Sequence, residues 1–372
     1  MSFFLPLTVL FLYFAANDEY VLHIYPDLNI DAFFYQKKFQ NFIDLNIRIE
    51  DYVWAIVILI GWFLTLVVLQ EVLPGEIVEG TLLRNGKKLK YKINGHLTFW
   101  LVITFLFVGN IKIVDGNIVP GRFNLSYIYD HMLELAVGSC ILCTLLSFYL
   151  YFKSFERDAL LALGGNTESA VYNWFIGREL NPRDGSFDWK EFCELRPGLI
   201  GWAIINISCA VKQYELYGAL SPSMVLINIF QGLYVWDALY QEKAILSTMD
   251  ITTDGFGFML CFGDMAWVPF TYSLQARYLV NHSINNKSMT IYFLVFTLAL
   301  KIIGFIIFRG SNGEKDRFRC DPTNPSVAHL EVLETKSGSK LLVSGWWGIA
   351  RKINYSKIYF IFISFTHTFT NY

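Results

Sequence analysis

From Tyr234 to Arg277 the chain reads YVWDALYQEKAILSTMDITTDGFGFMLCFGDMAWVPFTYSLQAR, which sets Asp237, Glu242, Asp250, Asp254, Asp264 and Arg277 among Trp236, Tyr240, Trp267, Phe270 and Tyr272. Ionisable groups in apolar surroundings are costly, so each is a candidate for function. Carboxyls and phenols beside aromatic faces suit a pocket that holds an apolar ligand by one or two polar handles. Asp264 is the sharpest case, because it lies near the middle of an apolar run where a charge needs a partner. A plainer reading has Asp237 and Glu242 at a span end, Asp250 and Asp254 capping the next helix, and Arg277 snorkelling to the interface.

A second cluster is basic. In GEKDRFRCDP, a helical course puts Lys315 and Arg319 one turn apart on one face, where a pair of cations can hold phosphates or lipid headgroups. LLVSGWWGIARKINY, from Leu341 to Tyr355, follows with two glycines around Trp346 and Trp347. Glycine lets backbone approach a ligand, and indole rings offer flat surfaces to an apolar ring system. GFGFML at Gly255 lacks the third glycine and the helix–strand context of a dinucleotide-binding loop. Cys140 and Cys143 form a CxxC inside an apolar run, and the six cysteines are too scattered for a disulfide framework. His131 and Glu134 share a helical face near the start of a span, where an interface marker is the plain reading.

The elements that must position these groups are membrane helices. With 54% hydrophobic and only 17% charged residues, the 372-residue chain is too apolar for an ordinary soluble protein. A formal net charge of −2 gives no bias toward nucleic acid. Runs long enough to cross a bilayer, or nearly so, cover 52–74, 97–114, 127–152, 198–217, 223–240, 255–280 and 290–308. With 2–16 as a further span, the fold expected is an all-α polytopic bundle of about eight spans. Alternate connections then collect most of the Lys and Arg, which puts that side in the cytosol. The expected organisation is a transmembrane bundle over 1–308, a cytosolic segment over 309–355 that begins a further span, and a distinct ending over 356–372.

Three long stretches, FIGRELNPRDGSFDWKEFCELRPGLIGW, TMDITTDGFGFMLCFGDMAWVPFTYSLQARYL and LLVSGWWGIARKINY, resemble the sterol reductases, and within them the Δ14-reductase and lamin B receptor branch. The resemblance implies an endoplasmic-reticulum membrane enzyme that uses NADPH to reduce the C14=C15 double bond of a sterol intermediate. It implies lipid surroundings and association with other sterol-biosynthesis enzymes. The chemistry requires a proton at C-15, stabilisation of the C-14 cation and a hydride. By motif, Asp237, Tyr240, Glu242, Asp264 and Tyr272 are the candidate catalytic groups, whereas Lys315, Arg319, Leu342, Trp346, Trp347, Asn354 and Tyr355 match the cofactor region. After Tyr355 the family continues NYxGD into further spans, whereas this chain reads SKIYFIFISFTHTFTNY. That departure leaves a second expectation beside the enzyme, a catalytically inactive truncated sterol-binding or lamin B receptor-like membrane protein.

Overall fold

The computed structural model describes residues 4–15, 48–114, 117–120, 124–156, 159–282, 291–335, 340–350 and 352–353. The chain divides into two compact units, Met1–Ile284 and Asn285–Tyr372.

The first unit is mostly helical. It opens with α1 (Phe4–Ala15) and α2 (Ile49–Val72). Glu50 and Asp51 in the first turn of α2 complement the helix dipole, and Leu73 before Pro74 turns extended and ends it. The hairpin of β1 (Glu76–Leu82) and β2 (Lys88–Ile93) follows, turning at Asn85-Gly86 with Gly86 at φ +75. Then come α3 (Gly95–Asn110) and the hairpin of β3 (Ile111–Val114) and β4 (Asn117–Pro120).

A short α4 (Ser126–Asp130) breaks at His131 before α5 (Met132–Lys153). Next, α6 (Ala170–Ile176) starts at the Ser169 cap and stops at Gly177, whose φ of +98 favours glycine. A two-residue hairpin, β5 (Arg183–Asp184) with β6 (Phe187–Asp188), leads into α7 (Trp189–Leu195), where the Asp188 carboxylate accepts from Glu191 N. Helices α8 (Pro197–Tyr217) and α9 (Pro222–Tyr240) each begin on a proline, and α8 ends at the left-handed Gly218.

Two single turns follow, α10 (Glu242–Ile245) and α11 (Met249–Thr252). The segment expected as one span over 255–280 is instead broken into α12 (Phe258–Phe262), a π-turn (Gly263–Trp267), α13 (Val268–Tyr272) and α14 (Leu274–His282). The second unit holds α15 (Ile291–Cys320), the hairpin of β7 (Val332–Glu334) and β8 (Lys340–Leu342), and α16 (Trp346–Ile349).

Among the described residues, three helices are long and apolar enough to cross a membrane, Ile49–Val72, Met132–Lys153 and Val295–Arg319. The count of eight is therefore not reproduced. The other apolar segments fall short for physical reasons: α3 is only 16 residues, and the 255–280 run is interrupted at the π-turn. Both α8 and α9 carry amide side chains, Asn206, Gln213 and Gln231, that find partners inside the fold.

Glycine decides one close approach. A Cβ on Gly177 would sit 2.4 Å from Gly255 C, Gly257 N and Phe256 N. The IGRE turn and the GFGF stretch are thus docked backbone against backbone, with Phe256 N donating to Glu179 O at 3.0 Å. The GFGF glycines serve packing of two conspicuous motifs against each other.

Candidate functional site

Arg196, between α7 and α8, is the centre of the first unit's polar interior. Its side chain is 0% exposed. Nη1 donates to Glu191 Oε1 at 2.8 Å, and Nη2 donates to Glu242 Oε1 at 2.6 Å and Asn94 Oδ1 at 3.0 Å. Glu242 Oε2 accepts from Gly95 N at 2.7 Å, and a Cβ on Gly95 would stand 3.1 Å from that oxygen, so glycine permits the approach. Asn94 Nδ2 in turn donates to Gln70 O at 2.9 Å. Three separate segments are thereby fastened to one guanidinium, and α2 is joined to them through Asn94. Burial pushes the Glu191 carboxyl up to about 7, with Arg196 pulling it down and Glu242 pushing it further up. Beside it, Lys190 is fully buried and donates to the carbonyls of Asp250 and Asp254; burial pushes it down to about 8.

The five candidate catalytic residues fall into different surroundings. Glu242 has both oxygens engaged in the Arg196 joint. Asp237 is buried on α9. Tyr240 is 57% exposed and stacks on Trp236 at 5.4 Å, and both rings lie edge-on to His96 of α3. Asp264 is half-buried on the π-turn, where its carbonyl rests on Gly198 so closely that a Cβ there would meet the oxygen at 1.8 Å. Tyr272 is 45% exposed, with its ring 5.1 Å from Trp202.

Trp202 belongs to an amide chain that sequence reasoning did not single out. Its Nε1 donates to Gln231 Oε1 at 2.8 Å, Asn206 Nδ2 donates to the same oxygen at 2.5 Å, and Gln231 Nε2 donates to Gln275 Oε1 at 2.7 Å. Gln231 Nε2 also reaches Tyr272 O at 3.3 Å. Amides within apolar helices are a readable signal, since they need partners there. Arg277 donates to Tyr129 O and Tyr13 Oη, both at 2.7 Å, and lies over both tyrosine rings.

In the second unit α15 continues through Cys320, so Lys315 and Arg319 do sit four residues apart on one helix. The Trp pair is packed onto that helix. Trp347 Nε1 donates to Ser311 O at 2.9 Å, and Lys315 Nζ stands 4.8 Å from the Trp347 ring centroid. Trp346 N donates to Glu314 Oε1 at 3.0 Å, and a Cβ on Gly310 would come within 2.7 Å of the Trp346 ring. Gly345, at φ +59, makes the turn that delivers both tryptophans. Leu342 packs on Phe318, Val327 and Leu330. Arg319 is exposed. Asn354 and Tyr355, together with the ending over 356–372, lie outside the described residues.

Residues 1–370 match the ergosterol biosynthesis ERG4/ERG24 family. The chain belongs to this family. ERG4/ERG24 proteins are polytopic membrane proteins, in keeping with the apolar helices described above. Among curated relatives, the chain is 42% identical to the Delta(14)-sterol reductase LBR of Gallus gallus over 359 residues, covering 95% of this chain and 52% of that protein. It is 40% identical to Delta(14)-sterol reductase ERG24 of Candida albicans, covering 94% of this chain and 78% of the relative. With Delta(14)-sterol reductase TM7SF2 of Mus musculus it shares 44% identity over 81% of this chain and 70% of the relative. The chain thus spans about half the length of the Gallus relative and more of the other two.

Proposed function

We propose that this chain is an NADPH-dependent reductase of the C14=C15 double bond of sterol intermediates, acting in the endoplasmic-reticulum membrane. Its similarity to proteins named Delta(14)-sterol reductases supports the reaction and the sterol substrate. The observation that carries the cofactor reading is the contact between the Trp346–Trp347 pair and the α15 face bearing Lys315. Two cations one turn apart beside an indole face fit a dinucleotide's phosphates and a flat ring.

NADPH supplies the hydride when bound. The chain's own groups do the rest. Lys315 and Arg319 hold phosphate oxygens, and Trp346, Trp347 and Leu342 shape an apolar wall beside them. One of the chain's acids would give a proton to C-15, and fixed carboxylates and aromatic faces would stabilise the cation left at C-14. Asp237, Tyr240, Asp264 and Tyr272 are the groups proposed for these tasks. Glu242, with both oxygens already engaged, is proposed as a positioning residue.

The test is sterol profiling of a Δ14-reductase-deficient yeast expressing this chain. Loss of the Δ14 intermediate is the expected result, and Asp264→Asn should lower the conversion while the protein stays membrane-inserted. Persistence of the intermediate, with the chain confirmed in the membrane, overturns the assignment.

A further inference from the structure

We propose that Asp51, His131 and Glu134 form a binding site for a divalent transition-metal ion of the zinc class, tying the first turn of α2 to the corner between α4 and α5. The three side chains are half-buried, and each offers a ligand atom within 4.8 Å of the other two. His131 Nδ1 lies 3.9 Å from Glu134 Oε1, too far for a hydrogen bond. Ligand atoms around a tetrahedral ion bound at about 2.1 Å stand roughly 3–4 Å apart, so a separation of up to 4.8 Å closes by about 1 Å when the ion binds.

The independent observation is the histidine nitrogen itself. His131 Nδ1 is shielded from solvent and has no hydrogen-bond partner among the described residues. A buried ring nitrogen in that position calls for a ligand. The backbone explains its direction: His131 leaves the helical region at φ −108 and ψ 27, and its ring packs against Tyr127 at 4.1 Å between centroids, tilted by 34°. The imidazole plane is thereby held while the nitrogen faces Glu134, three residues on.

Two carboxylates and a neutral imidazole match a dication in charge. A nitrogen donor beside two oxygens favours zinc-class ions over calcium or magnesium, which prefer oxygen alone. The competing cation is Arg48, whose Nε lies 3.9 Å from Asp51 Oδ2. Arg48 is 68% exposed and the contact is loosely spaced, so it holds Asp51 weakly. The proposal is independent of the reductase reading, since the ion would tie helices together and take no part in chemistry.

The full chain, purified in detergent and stripped with EDTA, is titrated with CoCl2 by visible ligand-field absorption and then challenged with ZnCl2. We expect a single saturable Co2+ equivalent that Zn2+ displaces, and a Zn2+-dependent rise in thermal midpoint. His131→Ala should weaken binding by about 100-fold, and the near-isosteric Asp51→Asn and Glu134→Gln by about ten-fold each. His329→Ala, a histidine of the second unit, should leave binding unchanged. The carboxamide variants keep the test decisive if His131→Ala fails to fold. Absence of saturable Co2+ binding in the unsubstituted chain, or binding that survives both Glu134→Gln and Asp51→Asn, overturns the site.

Discussion

Arg196 in the first unit and Lys315 in the second are both cations of motif stretches in the sequence, and the structure treats them oppositely. Arg196 is removed from water, with two carboxylates and an asparagine oxygen on its terminal nitrogens. Its charge is consumed by the fold. Lys315 is half-buried over one indole face, with the exposed Arg319 one turn away, and its ammonium has no hydrogen-bond partner among the described residues. A closed cation fastens segments together, whereas a cation left partly open on a rigid ring is available for binding. Glu242 shows how the same logic sorts an acid: in a motif it is indistinguishable from a catalytic carboxyl, but its oxygens are already committed.

Arg196→Ala is the strongest way to break this comparison. It strands two buried carboxylates and should cost about 3–5 kcal/mol, read as loss of monodisperse folded protein in detergent. A variant that melts like the unsubstituted chain would show that the joint does not hold the unit together.

Gly177→Ala comes next. It forces a side chain at φ +98 onto the Gly255–Gly257 backbone and should cost about 1–3 kcal/mol by thermal unfolding, because neither backbone can give way cheaply.

Replacing Lys315 and Arg319 together by Ala should leave the melting point nearly intact yet raise the apparent KM for NADPH about ten-fold or more, as loss of charge-assisted bonds does. An unchanged KM removes both from the cofactor reading.

The joint should also titrate. Glu191 sits near 7 when folded against an ordinary 4.5, so the folded state holds the extra proton between those values. Stability linked to that proton is present below pH 4.5 and is lost as pH rises toward about 7. Melting curves across that window should slope downward, and Glu191→Gln should flatten them.

The smallest effect is expected at Lys243, whose pair with Glu76 is 53% and 64% exposed. Lys243→Ala should change stability by less than about 0.5 kcal/mol.

Several features were legible without coordinates. The apolar runs mark helices because a bilayer-scale stretch of Leu, Ile, Val and Phe has few other stable forms. The helical course of Lys315 and Arg319, and the stops at Gly218 and Pro74, follow from local rules that need only neighbours in sequence. What resisted reading is non-local. Nothing in the order of residues indicates that Arg196 selects Glu242, 46 positions away, or that Gln231 joins Trp202, Asn206 and Gln275. The division of 255–280 by a π-turn was likewise hidden, because its Asp264 carbonyl is accommodated by Gly198 from another helix.

By itself, then, the sequence determined that this is an apolar helical membrane protein of the sterol reductase kind, with a cationic turn followed by a tryptophan pair, since composition, periodicity and motif are properties of neighbouring residues. Only the tertiary structure decided which charges are structural and which stay open, why the GFGF glycines are glycines, and that Asp51 meets His131 and Glu134. Those outcomes depend on which distant groups share a desolvated space, where each buried polar atom must find a partner and each close backbone approach must exclude a side chain.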